Sequence, residues 1–378
     1  MRLRVLRSAW GFPHSLASPA ASSAIRTAGF GGMEASLSDL GTNRQQRRDV
    51  IRMFANEGLS LILSAYSSWP NYEGAAEVAP QAEHLRRLTS DLDEIADLCT
   101  LAGPLSPVVL VNSHTGSDAW SESECESFLS SVLERTARYG SALPKVAHET
   151  HRGRILCCPF LTSRLLSRLP QLRITSDLSH WVIKTERMLD SVEEAAVLSR
   201  LAYAVDHVHA RVGTPQAPQI TYPDAPPLTS PHASSTYNST HASAHTSTHP
   251  TTHFSETPST SSYTSAPMPM HPHAYAIERF HSFWEEVWAA REASSVSGRD
   301  SIVTATVELG PPEYNRYTGD YAGYTPLAAT VHGVPDAAGF ATDVTEGAHD
   351  SALAAAAEML RARFENWHAQ GAMRRTGL

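Results

Sequence analysis

Short apolar runs alternate along this chain with longer stretches in which apolar residues return every three or four positions. The short runs predict strands at Leu3–Arg7, Gly32–Ser36, Leu59–Ala65, Pro107–Asn112, Lys145–Glu149, Leu172–Asp177, Asp206–Arg211 and Ile302–Glu308. The longer stretches predict helices between them. Leu85, Leu88, Leu92, Ile95 and Cys99 form one apolar stripe, as do Val197, Leu198, Leu201 and Val205, and Ile277, Phe280, Trp284 and Val287. Ser121 followed by Glu124 is a capping box that opens the helix carrying Phe128, Val132 and Leu133. Two further helices are expected at Ala20–Thr27 and Ala352–His368.

Strands joined by helical crossovers make right-handed βαβ units and a parallel sheet, and eight strands are the number that closes one into a barrel. The competing architecture is an open doubly wound sheet, which commonly carries a glycine-rich phosphate turn after its first strand. The chain holds neither GxGxxG nor GxxxxGK[ST]. The expected fold is therefore an α/β (β/α)8 TIM barrel, one domain over 1–378 interrupted by a low-complexity insertion at 215–272. That insertion is built of Ser, Thr, His, Pro and Ala, with His232, His241, His245, His249, His253, His271 and His273 along it or at its end. It has too little apolar surface to offset its ordering entropy, so disorder is expected, with folding unaffected by deletion of Asp224–Met270.

Composition narrows the class. Hydrophobic residues make up 42% of the chain, ample for a large core, and the net charge of -9 argues against a nucleic-acid surface. No apolar run approaches the roughly 18 residues that a membrane span needs. The cysteines Cys99, Cys125, Cys157 and Cys158 include no CxxC pair and read as buried thiols in a reducing compartment. The first thirty residues, rich in Arg and Ser without an acid before Glu34, have the composition of an organellar transit peptide. The alternation through Leu3 and Val5 reads instead as a structural first strand. A cytoplasmic location is expected, with an organellar one as the alternative.

In a (β/α)8 barrel the chemistry sits where strands end. The fourth strand runs into His114 and Asp118, and the fifth into Glu149 beside His148, His151 and Arg152. The sixth gives Asp177 and His180, the seventh His207, His209 and Arg211, the eighth Glu308. Singly, Glu149 reads as a surface acid, Asp177 as a helix cap and His209 as a packed core residue. Together at consecutive strand ends, Glu149, Asp177, His209 and Glu308 would repel unless a cation balanced them. Three carboxylates and an imidazole suit Mn²⁺, Co²⁺, Zn²⁺ or Mg²⁺, and the ligand types leave the identity open.

The stretches "NSHTGSD", "HETHRGR", "SDLSHW", "HVHARVGTPQAPQ" and "VELGPPEY" resemble the xylose-isomerase-like TIM barrel superfamily, most of all a group described as sugar phosphate isomerase/epimerase. The resemblance covers nearly the whole chain outside the insertion. It implies one divalent metal ion on Glu149, Asp177, His209 and Glu308, with the second histidine of HxH as the ligand. It also implies that His180 and Arg211 hold substrate oxygens, with His114 as a further metal or substrate contact and His207 grouped with the substrate contacts. The activity implied is isomerisation or epimerisation of a small sugar, sugar phosphate or polyol, with Glu149 and Glu308 as the acid/base pair of an enediolate mechanism. Trp10 and Trp69 are candidate apolar walls. An inosose-dehydratase-like lyase is the nearest alternative. An apurinic-endonuclease-like hydrolase is a remoter one, because the third strand ends "LSAYSSW" without a histidine, and a non-catalytic barrel is remoter still. The partner expected is a small carbohydrate rather than nucleic acid or membrane. Related barrels often dimerise, but no stripe marks a homodimer interface.

Overall fold

In the computed structural model, eight parallel strands close into a barrel in sequence order, each paired with the next and β8 with β1. The structure describes residues 1–68, 79–220, 272–294, 302–310 and 346–376. The strands are β1 (Arg2–Ser8), β2 (Gly32–Ser36), β3 (Ser60–Tyr66), β4 (Val108–His114), β5 (Val146–Glu149), β6 (Ile174–Ser176), β7 (Val205–Ala210) and β8 (Ile302–Val307). The helices are α1 (Pro19–Thr27), α2 (Leu37–Leu40), α3 (Arg44–Asn56), α4 (Gln81–Ala102), α5 (Glu122–Ala137), α6 (Pro159–Arg168), α7 (Leu178–Thr185), α8 (Val192–Ala202), α9 (Pro272–Ser294) and α10 (Glu346–Thr376).

Side chains alternate across each strand, so every strand serves two environments. Outward residues such as Met33, Leu63, Val111, Ile174, Val208 and Ala305 join the principal core with Ile25, Phe54, Leu88, Phe128, Trp181, Leu198, Trp284 and Leu360 of the helices. Inward residues Leu6, Ile62, Leu110 and Ala147 form a separate small cluster, an apolar floor inside the barrel. Above that floor the inward positions turn polar. The outward side has its own polar tie: Asp206 accepts two hydrogen bonds from Arg173, at 2.9 and 3.0 Å, and one from Arg291 at 2.5 Å.

Local chemistry sets the element ends. The Ser121/Glu124 capping box is present at α5, and Ser191 with Glu194 forms another at α8. The seam between β1 and β8 runs in register from Arg2↔Ile302 to Arg7↔Val307. A Cβ on Gly32 would lie 2.0 Å from the Ser60 carbonyl oxygen, so only glycine lets β2 enter that close to β3. Gly116, at φ +65°, turns the chain after β4 and donates its N–H to Ser67 Oγ at 2.7 Å, tying two strand-end loops together.

Three expectations are corrected. The fourth strand runs two residues past Asn112, because Ser113 and His114 continue the ladder against Ala65 and Tyr66. The sixth is shorter than Leu172–Asp177, because Asp177 already caps α7. Residues 215–220 do not belong to a solvated insertion: Ala217 and Ile220 are buried, and Gln219 accepts a hydrogen bond from the Gly310 N–H at 2.8 Å. Residues 221–271, Trp69 and the tyrosine-rich stretch after Gly310 lie outside the described residues. All four cysteines are free, and Cys99, Cys125 and Cys157 are buried. Among the described residues no helix is long and apolar enough to cross a membrane.

Candidate metal centre

Period-two alternation carries Asn112 and His114 of β4, His207 and His209 of β7, Thr304 and Thr306 of β8, and Glu34 of β2 to the inside of the barrel. Glu149 ends β5 on the same side, and Glu308 follows β8. Ligand atoms of Asp177, His209 and Glu308 all lie within 4.8 Å of one another. Glu149 joins them: it shares a second such group with Asp177 and His180, and its Oε1 lies 3.7 Å from His209 Nδ1. The four residues expected as ligands therefore converge on one region above the apolar floor.

Each is held by neighbours. Glu149 Oε2 accepts from Asn112 Nδ2 at 2.7 Å and lies 3.0 Å from His114 Nε2. Asp177 Oδ1 accepts from the Ser179 N–H at 2.9 Å and from Ser179 Oγ at 2.6 Å, the geometry of an N-cap. Its Oδ2 takes the Arg211 guanidinium at 2.5 Å. Asp177 thus caps a helix and faces the site at once. His209 presents Nε2 to Glu34, and its Nδ1 lies 3.1 Å from Glu308 Oε2.

Charge is crowded here. Glu34, Glu149, Asp177 and Glu308 meet one guanidinium, Arg211. Burial opposes ionisation of Glu149, yet the imidazoles of His114 and His209 outweigh it and hold its carboxyl below the ordinary range. Burial likewise works against the Glu34 carboxylate, while His209 and His207 hold its carboxyl well below its usual value. At Asp177 burial wins and pushes the carboxyl up, against Arg211 and with the help of Glu308. Burial disfavours a charged His209 ring, but Glu34, Glu149 and Glu308 together push it well above an ordinary histidine. Burial pushes the His151 and His180 rings well below the ordinary histidine value.

The site fits a divalent cation on two observations. His209 Nδ1 and Glu308 Oε2 are buried and face each other at 3.1 Å, outside good hydrogen-bond geometry and with no other hydrogen-bond partner for either atom. The donor set of one imidazole and three carboxylates is that of a cation of intermediate hardness.

A cavity of about 310 Å³ opens over these groups. Glu149, Glu308, His209, Arg211, His114 and His151 line one side, and Ser8, Ser36, Asp39, Ser64, Tyr66 and Trp10 the other. Tyr66 stacks on His114 with ring centroids 4.8 Å apart. His180 and His207, expected among the substrate contacts, do not line the cavity. His180 lies behind His151, with centroids 3.8 Å apart, and its Nε2 is 2.6 Å from Arg211. His207 is buried between Glu34 and Thr304. Asp118 is drawn away from the site to Lys184, at 2.9 Å.

Reading the strand ends alone misses Glu34 and Asn112. Glu34 stands two residues short of the end of β2. Asn112, the last residue of the expected fourth strand, lacks the charge or imidazole of the groups that follow it. The available signal was a carboxylate flanked by Met33 and Ala35 in a strand too apolar to leave it exposed.

No protein-family model matches the chain, and no curated protein does. Among solved structures it is similar to D-psicose 3-epimerase from Clostridium cellulolyticum H10, crystallised with D-tagatose, at a TM-score of 0.50 and 11% identity over 96% of this chain and 98% of that one. It is also similar to a xylose isomerase domain protein from Alicyclobacillus acidocaldarius subsp. acidocaldarius, at 0.49 and 14% over 96% and 99%. The third is 3-keto-D-glucoside 4-epimerase from E. coli, at 0.45 and 12% over 84% and 97%. At these identities the likeness is one of architecture, and it agrees with the closed eight-stranded (β/α)8 barrel described above.

Proposed function

We propose that this protein is a divalent-metal-dependent isomerase or epimerase of a small sugar, sugar phosphate or polyol. The observation that carries the reading is the convergence of Glu149, Asp177, His209 and Glu308. Glu149, His209 and Glu308 line a cavity large enough for such a molecule, and Asp177 is buried behind it. That the neighbours of similar fold include sugar epimerases agrees with it.

When bound, a divalent cation supplies stabilisation for negative charge developing on a substrate oxygen. The chain's own residues supply the rest. Glu149 and Glu308 both reach the cavity, from strands three apart around the barrel, and can address a substrate carbon from two directions. One, ionised, takes the proton next to the carbonyl, and the other, entering the step protonated, gives its proton to the opposite face or the neighbouring carbon. The pair ends with its protonation states exchanged, and exchange with solvent resets it. A cation held by these two carboxylates would limit their basicity, so proton transfer would call for partial rather than bidentate ligation by each. Arg211 orients a substrate oxygen, and Ser8, Ser36, Asp39 and Ser64 offer hydroxyl and carboxylate partners to the remaining hydroxyls. Trp10 and Tyr66 form the apolar part of the wall.

The test is deuterium wash-in from D₂O and epimer formation across a panel of ketoses and inositols, free and phosphorylated, with Mn²⁺ present. Glu149→Gln and Glu308→Gln are each expected to lower turnover by about 10²–10⁴-fold. Full activity in both refutes the proton-transfer assignment. Loss of water from the product in place of epimerisation would make the protein a lyase that begins with the same proton removal.

A further inference from the structure

We propose that Glu34 is a positioning residue: its carboxylate takes the N–H on Nε2 of His209 and so turns Nδ1 of the same ring toward the cation position. This deepens the proposed function and rests on the reading of Glu149, Asp177, His209 and Glu308 as one cation site.

His209 Nε2 lies 3.1 Å from Glu34 Oε1 and 3.0 Å from Oε2. A carboxylate in contact with a ring nitrogen accepts, so Nε2 carries a hydrogen. The other edge, Nδ1, faces Glu308 Oε2 at 3.1 Å and Glu149 Oε1 at 3.7 Å and by the same rule carries one in the cation-free ring. A cation taken there would displace that hydrogen and leave the one on Nε2 with Glu34. A metal-bound imidazole commonly donates its second nitrogen to a carboxylate, which fixes the tautomer and the ring plane.

Glu34 is itself held in place. It reaches across the barrel from β2 to β7, strands that are not neighbours in the sheet. Asn112 donates Nδ2 to Glu34 Oε1 at 2.9 Å and to Glu149 Oε2 at 2.7 Å, so one amide ties the positioning carboxylate to an expected ligand. His207 closes the third side, its Nε2 at 3.2 Å from Glu34 Oε2 and its Nδ1 at 2.8 Å from Thr304 Oγ1. Glu34 also lines the cavity and lies close enough to His207 and His209 to form a cation-binding group with them. The hydrogen bonds from Asn112 and His207 and its 6% exposure nonetheless hold it against Nε2 of His209.

Calorimetric titration with Mn²⁺ tests this. Glu34→Gln keeps the shape and removes the charge, and is expected to weaken Mn²⁺ binding about 10–100-fold. Glu34→Asp, too short to span the barrel, is expected to lose a similar factor. A dissociation constant within about twofold of the wild type overturns the inference. So does a loss as complete as that of His209→Ala, since Glu34 would then be a ligand itself. If the variants do not fold, long-range ¹⁵N–¹H spectra of the Zn²⁺-loaded wild-type protein decide: a proton on His209 Nε2 is expected, and a proton on Nδ1 overturns the assignment. Wild-type protein that takes up no divalent cation overturns the cation reading first, and this inference with it.

Discussion

The floor of the barrel and the layers above it are built by the same strands in opposite chemistry. Leu6, Ile62, Leu110 and Ala147 fill the bottom as an ordinary TIM barrel interior is filled, by apolar side chains from several strands. Two residues further along, β4 and β5 place Asn112 and Glu149, while β2 and β7 contribute Glu34, His207 and His209. The upper layers bury ionised groups, which is costly unless they are paired and hydrogen-bonded. The lower layer and the wide core between strands and helices contribute the burial that offsets it. Stability and chemistry are thus divided by height along the barrel axis, and each variant should disturb one and spare the other.

The largest effect is expected from His209→Ala. It removes the one nitrogen donor of the set and should cost more than the roughly 10–100-fold that an outer contact costs in cation affinity. Its cation-free melting midpoint should move far less than that of a floor variant. Ile62→Ala reverses the pattern, costing about 2–5 kcal/mol in denaturant unfolding and leaving the Mn²⁺ dissociation constant unchanged. A floor substitution that weakened cation binding as much as it weakened the fold would end the division by height.

A smaller effect is expected with pH. Burial, with Arg363 adding to it, depresses His281 on α9 to about 3. The unfolded chain binds a proton near pH 6.5 that the folded chain refuses, so this contribution is complete above about pH 6.5 and is lost as pH falls toward the folded value. The slope from this one group is up to about 1.4 kcal/mol per pH unit, and His281→Phe should flatten the acid limb of a urea midpoint series. An unchanged acid limb would mean that the site carboxylates dominate acid unfolding. The smallest effect belongs to the surface. Glu122 accepts from Arg164 and Arg168 on the outer helices, and Glu122→Gln should leave both midpoint and cation affinity where they were.

Much of this arrangement is legible in the order of residues along the chain. Strand position follows from short apolar runs, and in a barrel the strand ends converge, so Glu149, Asp177, His209 and Glu308 can be named from their places alone. The separation of His180 and His207 from the cavity cannot. His180 stands on the first turn of α7, and only packing against His151 decides that it backs Arg211 instead of facing a substrate. Glu34 and Asn112 are hidden for a different reason. Their meaning depends on the register across β2, β4 and β7, and register between distant strands has no local signature. Residues 215–220 mislead because composition speaks for the long Ser- and Thr-rich tract, while Ala217 and Ile220 answer to the neighbours they fold against.

The β1–β8 seam carries one more consequence. Glu308 stands just beyond the strand that the chain's first residues must meet to complete the ring, whereas Glu149, Asp177 and His209 come from strands laid down side by side before it. Three of the four groups proposed as cation ligands can meet on an open sheet, but the fourth arrives only when the two extremities of the barrel find each other. Under the proposed reading, tight capture of a cation would be a late event in folding and a reporter of its completion.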